Sequence, residues 1–112
     1  MGTTTTGPGA RLAGLRALAD PTRLRIFRAL RERERCVRDL VETEHLGQPL
    51  VSHHLGVLVR ARLVQARRHD GFTLYALDAA GMAALAASVA DLLDPVPLAA
   101  EARPGGNPAC CR

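Results

Sequence analysis

The amino-acid sequence predicts a mainly α-helical domain with one small β-hairpin, in the order α-α-α-α-β-β-α. Two observations lead to this fold class. Apolar residues recur every three or four positions in five separate segments, which is typical of helices that bury one face. Between the fourth and fifth segments, two strand-like runs flank an Asp-Gly pair, and Asp-Gly favours a tight hairpin turn.

The length and composition predict one small domain with an aliphatic core. A chain of 112 residues is too short for an enzyme with separate cofactor and substrate lobes. The sequence is 47% hydrophobic and 23% charged, as is usual for globular proteins. Its aromatic residues are only Phe27, Phe72 and Tyr75, so leucine, alanine and valine must fill the core. Because so short a chain buries a modest share of its surface, we expect a second subunit to complete that core.

A leucine pattern and a capping pair predict the first two helices. Leucines at positions 12, 15 and 18 form the apolar stripe of the first helix. Asp20 and Pro21 suit the N-cap and the first position of a second helix, which we expect to reach about Arg33. The residues expected to face the core from this helix are Leu24, Ile26, Phe27 and Leu30.

A short turn separates the third and fourth predicted helices. The third helix covers residues 36–44, and Gly47 suits the position just after its end, where left-handed backbone is common. The fourth helix begins near Gln48. Its inward stripe consists of Val51, Leu55 and Leu58.

The hairpin and the last helix complete the domain. Strands are predicted at 63–68 and 72–77, and a helix over 79–93 that contains no charged residue before Asp91. A helix that is apolar on all sides is buried on more than one side, so we expect a second subunit to cover it. We therefore divide the chain into a disordered tail at 1–9, a folded domain at 10–94 and a flexible, cysteine-bearing tail at 95–112.

This element order and the distribution of charge point to a nucleic-acid partner. Two short helices joined by a tight turn and followed by a hairpin make a winged helix-turn-helix. All 15 basic residues are arginine. Residues 1–70 contain 13 arginines and 7 acidic residues, whereas residues 71–112 contain 2 arginines and 4 acidic residues. The positive part of the chain therefore holds the helix-turn-helix and most of the hairpin, as expected for a protein that binds double-stranded DNA.

The fourth helix and the hairpin carry the predicted DNA contacts. The N-terminal end of such a helix enters the major groove, and a basic hairpin meets the phosphate backbone or the minor groove. A solvated polar helix face and an edge strand blunted by charge are the alternatives. The predicted DNA-contacting residues are Gln48, Leu50, Ser52, His53, Arg60, Arg67, Arg68 and His69.

Other classes of protein are disfavoured by what the sequence lacks. No apolar run reaches the ~18–20 residues of a membrane span, and the first ten residues lack the apolar core of a secretory signal. We therefore expect a cytoplasmic protein, in which cysteines act as thiols or metal ligands rather than as disulfides. No Ser/His/Asp set, phosphate-binding glycine loop or carboxylate pair predicts an enzyme.

Three motifs resemble the ArsR/SmtB family of metalloregulatory repressors. They are Leu18–Ile26 (LADPTRLRI), Gln48–Leu58 (QPLVSHHLGVL) and Gly71–Leu77 (GFTLYAL), and the resemblance covers about residues 11–93. It implies a homodimer that pairs through its first and last helices. It also implies an operator-bound apo-protein that leaves the DNA when an inducer binds.

The resemblance also directs attention to the inducer ligands. Many zinc or nickel sensors of the family use Asp and His pairs on the last helix. Here that helix has Asp78, Asp91 and Asp94 but no His, so we expect that site to be absent. Arsenic and cadmium/lead sensors use a Cys-Val-Cys-Asp-Leu motif at the third helix. This chain has Cys36–Leu40 (CVRDL), in which Arg38 replaces the second cysteine. Cys36 alone therefore cannot chelate an ion.

Cys110 and Cys111 are the candidates for the missing thiolates. Three thiolates suit a trigonal, soft ion such as As(III) or Sb(III), whereas zinc and cadmium generally take a fourth ligand. The predicted metal ligands are thus Cys36, Cys110 and Cys111, with no organic cofactor. The alternatives are the same repressor sensing Cd(II), Pb(II) or thiol oxidation, and a thiol metal-carrier or interaction module that does not bind DNA.

Overall fold

The computed structural model describes residues 8–94, and the side chains from residue 12 onward. It confirms the predicted order of five helices and one hairpin. The helices are Pro8–Leu18 (α1), Pro21–Glu32 (α2), Val37–Glu44 (α3), Gln48–Arg60 (α4) and Ala79–Leu92 (α5), and the strands are Val64–His69 (β1) and Phe72–Leu77 (β2). Pro8 and Gly9, placed in the predicted N-terminal tail, begin α1. The rest of that tail and the predicted tail at 95–112 lie outside the described residues.

The start of α2 follows the capping signal, but one of its predicted core residues was wrong. The Asp20 side chain accepts a hydrogen bond of 2.9 Å from the Arg23 backbone N–H, and Pro21 takes the first turn. Ile26, Phe27 and Leu30 are buried as predicted, whereas Leu24 is 37% exposed. At roughly 100° per residue, Leu24 lies about 160° around the helix from Ile26, on the solvent side.

The core is mainly aliphatic and lies between α1, α2, α3, α4 and the start of β1. The largest fully buried side chains are Ile26, Leu40, Val51, Leu55, Leu58, Leu63 and Val64. Helix α5 adds no fully buried residue, although Met82 and Leu85 pack against the core. Among the described residues, no helix is long and apolar enough to cross a membrane.

The turn between α3 and α4 differs from the prediction at Gly47. The left-handed residue is His45, with φ of 57°, and its N–H binds the Val41 carbonyl. Gly47 instead has an extended backbone, with φ of −69°, and serves as the N-cap of α4. Helix α3 therefore closes two residues earlier than a left-handed Gly47 would require.

The hairpin is closed by a two-residue turn, and a third segment pairs with it. Strands β1 and β2 are antiparallel, with Val64 opposite Leu77 and His69 opposite Phe72. Asp70 and Gly71 have φ values of 48° and 86°, as a type I′ turn requires. His69 thus ends β1 rather than belonging to the turn. The hairpin forms the wing of the fold.

Candidate nucleic-acid interface and thiol site

The first turns of α4 expose the polar residues that the sequence predicted. Gln48, Ser52 and His53 are exposed, and Leu50 is 42% exposed beside them. Val51 and Leu55, on the same helix, are fully buried against the core. Helix α4 therefore presents a polar surface at its N-terminal end while its other side fixes its orientation.

His54 is a buried polar side chain that holds α4 against α2. Arg23 Nη1 lies 3.1 Å from His54 Nδ1, and Arg23 Nε donates to the Ala17 carbonyl over 2.6 Å. Because a guanidinium only donates, His54 Nδ1 must accept, which places the proton of the neutral ring on Nε2. Burial lowers the pKa of His54, the Asp20 charge opposes that shift, and the Arg23 charge adds to it. Sequence reasoning missed this role of Arg23, since nothing in the local pattern marks it.

The wing presents one free arginine and one that is already paired. Arg68 is exposed, and its side chain makes no hydrogen bond or ion pair with any other described residue. His69 is also exposed, and its Nε2 lies 3.3 Å from the Asp70 carboxylate. Arg67 Nη2, by contrast, lies 2.7 Å from both carboxylate oxygens of Glu34. The hydrogen bond and the Glu34 charge raise the pKa of Arg67.

A groove joins α3, the start of α4 and the wing. It has a volume of about 760 Å³. Its lining residues are Cys36, Val37, Arg38, Val41, Gln48, Phe72, Thr73 and Tyr75. The structure thus brings one predicted DNA-contacting residue, Gln48, and one predicted thiolate, Cys36, to the same groove as the wing. Arg60, the predicted DNA-contacting residue at the C-terminal end of α4, is exposed and does not line this groove.

Cys36 is half-buried at the N-cap of α3 and makes no capping hydrogen bond through its side chain. Its two arginine neighbours are both paired with carboxylates. Arg35 contacts Glu32 at 2.7 Å and Asp39 at 3.3 Å, and Arg38 lies 3.5 Å from Glu42. Both guanidinium groups near the thiol therefore already have a carboxylate partner.

The three-thiolate site remains a prediction. Cys110 and Cys111 lie outside the described residues. Within residues 8–94 there is no group of three or more His, Cys, Asp or Glu side chains that could hold a metal ion. Asp78, on the last helix, accepts a hydrogen bond of 3.0 Å from the Gly81 N–H, so its carboxylate serves as a helix cap.

Helices α1 and α5 lie together and expose apolar side chains. A Cβ atom built on Gly14 of α1 would lie 3.0 Å from the tip of Leu85 on α5, so the two helices approach closely at this point. The exposed leucines of this surface are Leu12, Leu15, Leu92 and Leu93. We call these two helices the α1/α5 surface.

The chain is similar in sequence to bacterial transcriptional regulators. Residues 20–66 match the family described as "Bacterial regulatory protein, arsR family". The HTH-type transcriptional repressor SmtB of Mycobacterium tuberculosis is 49% identical over 63 residues, which cover 56% of this chain and 47% of the relative. The chain thus spans about half the length of that relative.

Two solved structures share the fold over a larger part of the chain. A crystal structure of a possible transcriptional regulator for arsenical resistance has a TM-score of 0.67 and 32% identity, covering 74% of this chain and 86% of its own. The homodimeric winged helix-turn-helix domain of Mb0332 from Mycobacterium bovis has a TM-score of 0.63 and 28% identity, covering 76% of this chain and 79% of its own. This chain therefore folds as a winged helix-turn-helix and belongs to the arsR family of bacterial regulatory proteins.

Proposed function

We propose that this chain is a homodimeric transcriptional repressor that binds operator DNA through α4 and the wing. One observation carries the proposal: Gln48, at the start of α4, and the wing residues Phe72 and Thr73 line the same groove. A recognition helix and a wing that border one groove can engage adjacent parts of one duplex. The family relationship supports the same conclusion.

The exposed side chains of α4 suit contacts with base edges, and those of the wing suit contacts with phosphate. Gln48 has the donor and acceptor that an adenine edge requires, and the apolar Leu50 can contact a thymine methyl group. Ser52 and His53 can donate or accept. Arg68 is free to contact a phosphate or to enter the minor groove.

A dimer accounts for the α1/α5 surface. Leu92 and Leu93 are 56% and 73% exposed at the end of α5. The rest of that helix contains no charged residue before Asp91, so it too offers an apolar surface. Covering such a surface with a second copy removes apolar area from water. The Mb0332 domain, similar in fold, is described as homodimeric.

The proposed inducer is As(III) or Sb(III), bound by thiolates of Cys36, Cys110 and Cys111. Cys36 supports this assignment because it shares its groove with Gln48 and the wing. An ion bound there would act on the two elements that bind DNA. By linkage, if the ion weakens DNA binding, then DNA must weaken ion binding by the same factor.

The direct test is binding to DNA from immediately upstream of the protein's own coding sequence, followed by fluorescence anisotropy. We expect an affinity that falls steeply with salt, and release by low micromolar As(III). Cys36→Ser should abolish release while leaving DNA affinity and melting temperature unchanged, and a Cys110→Ser/Cys111→Ser double variant should behave in the same way.

Other outcomes identify the alternatives. If the complex survives As(III) but dissociates with Cd(II) or Pb(II), the inducer is that ion instead. Release by peroxide that dithiothreitol reverses would make the protein an oxidant sensor. Absence of any salt-dependent DNA binding would leave the thiol carrier or interaction module.

A further inference from the structure

Residues 34–36 form a joint between the helical body and the wing. Arg35 pairs with Tyr75 of β2 through two backbone hydrogen bonds, of 3.1 Å from Arg35 N and 2.8 Å from Tyr75 N. The segment therefore lies on the open side of β2, with β1 on the other side. Cys36, the next residue, is the N-cap of α3.

The Arg35 side chain fixes the joint to the helices. It is 7% exposed, and its Nε donates to the Ala29 carbonyl of α2 over 3.0 Å. Its other nitrogens contact Glu32 of α2 and Asp39 of α3. The backbone of Arg35 thus pairs with the wing while its side chain is held by two helices.

Glu34 extends the same joint to the far strand of the wing. Its carboxylate contacts Arg67 of β1, so that this ion pair crosses β2. A two-stranded hairpin by itself is only marginally stable in water, so contacts at its edge have a large influence on its position. The isolated Arg35–Tyr75 pairing and the Glu34–Arg67 ion pair are two such contacts from adjacent residues.

We propose that Glu34 is a positioning residue for DNA binding: through Arg67 it sets the position of the wing relative to α4. This inference rests on the proposed DNA binding. Arg67 then acts mainly as the ion-pair partner of Glu34, and the side chain of the adjacent Arg68, which has no such partner, supplies the phosphate contact. The opposite role for Glu34 is screening, in which the carboxylate competes with DNA phosphate for Arg67.

The two roles predict opposite effects of removing the carboxylate. If Glu34 positions the wing, Glu34→Gln weakens DNA binding by about threefold to tenfold with little change in salt dependence, as expected when geometry rather than phosphate charge is lost. If Glu34 only screens Arg67, the variant binds DNA more tightly, and the slope of log affinity against log salt steepens by about one. Tighter binding with a steeper slope overturns the proposal.

A charge reversal gives a second criterion. Glu34→Arg combined with Arg67→Glu preserves an ion pair across β2 but places a carboxylate on β1. Recovery of DNA affinity to within about twofold of the wild type supports positioning, because paired substitutions restore a direct contact. If the double variant binds no better than Arg67→Glu alone, Arg67 itself contacts DNA and the proposal fails.

Two variants calibrate these measurements. Arg68→Ala should reduce the salt slope by about one, as loss of one phosphate contact does. Glu42→Gln breaks the exposed Arg38–Glu42 ion pair, which includes no residue of the wing, and should leave DNA affinity unchanged. All variants should melt within a few degrees of the wild type, because exposed ion pairs add little to stability.

Amide hydrogen exchange without DNA separates this inference from the proposed function. In Glu34→Gln, amides of β1 and β2 should exchange faster than in the wild type, whereas Glu42→Gln should not alter them. If the wild type fails to bind DNA, the proposed function fails and the exchange result alone decides whether Glu34 holds the wing. Equal exchange in the wild type and Glu34→Gln would show that it does not.

Discussion

The imidazole of His54 is held in its neutral form where α4 packs on α2. Burial lowers its pKa below the ordinary value of 6.5, and the adjacent Arg23 charge contributes in the same direction. In the unfolded chain the ring takes up a proton near its ordinary pKa, while in the folded protein it does so only at lower pH. Below 6.5 the unfolded state therefore binds more protons, and the free energy of unfolding falls as the pH falls.

His54→Gln should flatten this pH dependence. Glutamine can accept the Arg23 hydrogen bond through its amide oxygen but cannot take up a proton in this range. Urea unfolding between about pH 7.5 and about pH 5.5 should show a smaller loss of stability for the variant than for the wild type. The matched control is His53→Gln, at the exposed neighbouring position, which should keep the wild-type slope. An unchanged slope in His54→Gln contradicts the assignment.

Residues whose partners are distant in the sequence could not be identified from the sequence. Arg23 and Arg35 occur in an arginine-rich stretch, and nothing local distinguishes them from exposed neighbours such as Arg28. The side chain of Arg23 contacts His54, 31 residues away, and the backbone of Arg35 pairs with Tyr75 of β2. The exposed positions Gln48 and His53 were predictable because one helix period determines them.

At the level of elements, the connection from α4 to β1 is locked against the first turn of α5. Arg62 has a left-handed backbone, with φ of 64°, and its carbonyl oxygen would lie 1.6 Å from a Cβ built on Gly81. The Gly81 N–H also donates a hydrogen bond to the side chain of Asp78, the N-cap of α5. Only glycine fits at this position, so the backbone of α5 can lie directly on the connection.

Gly81→Ala should therefore destabilise the protein by about 2–4 kcal/mol, the range of a backbone that is forced to shift. Gly14→Ala is the matched control, since the added methyl group would meet the movable tip of Leu85 rather than backbone. Its loss should be much smaller, because alanine also favours the helix. Urea unfolding of both variants measures the difference, and equal losses would contradict the close packing at Gly81.

Elements with local signals were predicted well. Asp20-Pro21 and Asp70-Gly71 mark a helix start and a turn through chemistry contained in two residues. Gly47 misled because His45 adopts the left-handed conformation at the end of α3. The closeness of Gly81 to Arg62 carries no local signal, since a glycine in an alanine-rich helix gives no hint of the tertiary contact that requires it.

For the whole molecule, the α1/α5 surface should determine the oligomeric state. Leu12→Glu and Leu92→Glu introduce charge at positions that are 47% and 56% exposed in the single subunit. We expect both to shift a dimer towards monomer in light scattering, because a charge in an apolar interface must be desolvated. Leu50→Glu, at a similarly exposed leucine of α4, should remain dimeric. Dimerisation unaffected by both α1/α5 variants would place the interface elsewhere.

Because α5 buries no residue fully within one subunit, a dimer formed through the α1/α5 surface would link the stability of this helix to the concentration of chains. A dimer stabilises what it covers by an amount that rises with the logarithm of the concentration of partner chains. The first turn of α5 is fixed within the subunit by the close approach of Gly81 to Arg62, so a partner would mainly stabilise its far end, where Leu92 and Leu93 are exposed. The concentration of chains would then set the stability of α5 as well as the extent of dimerisation.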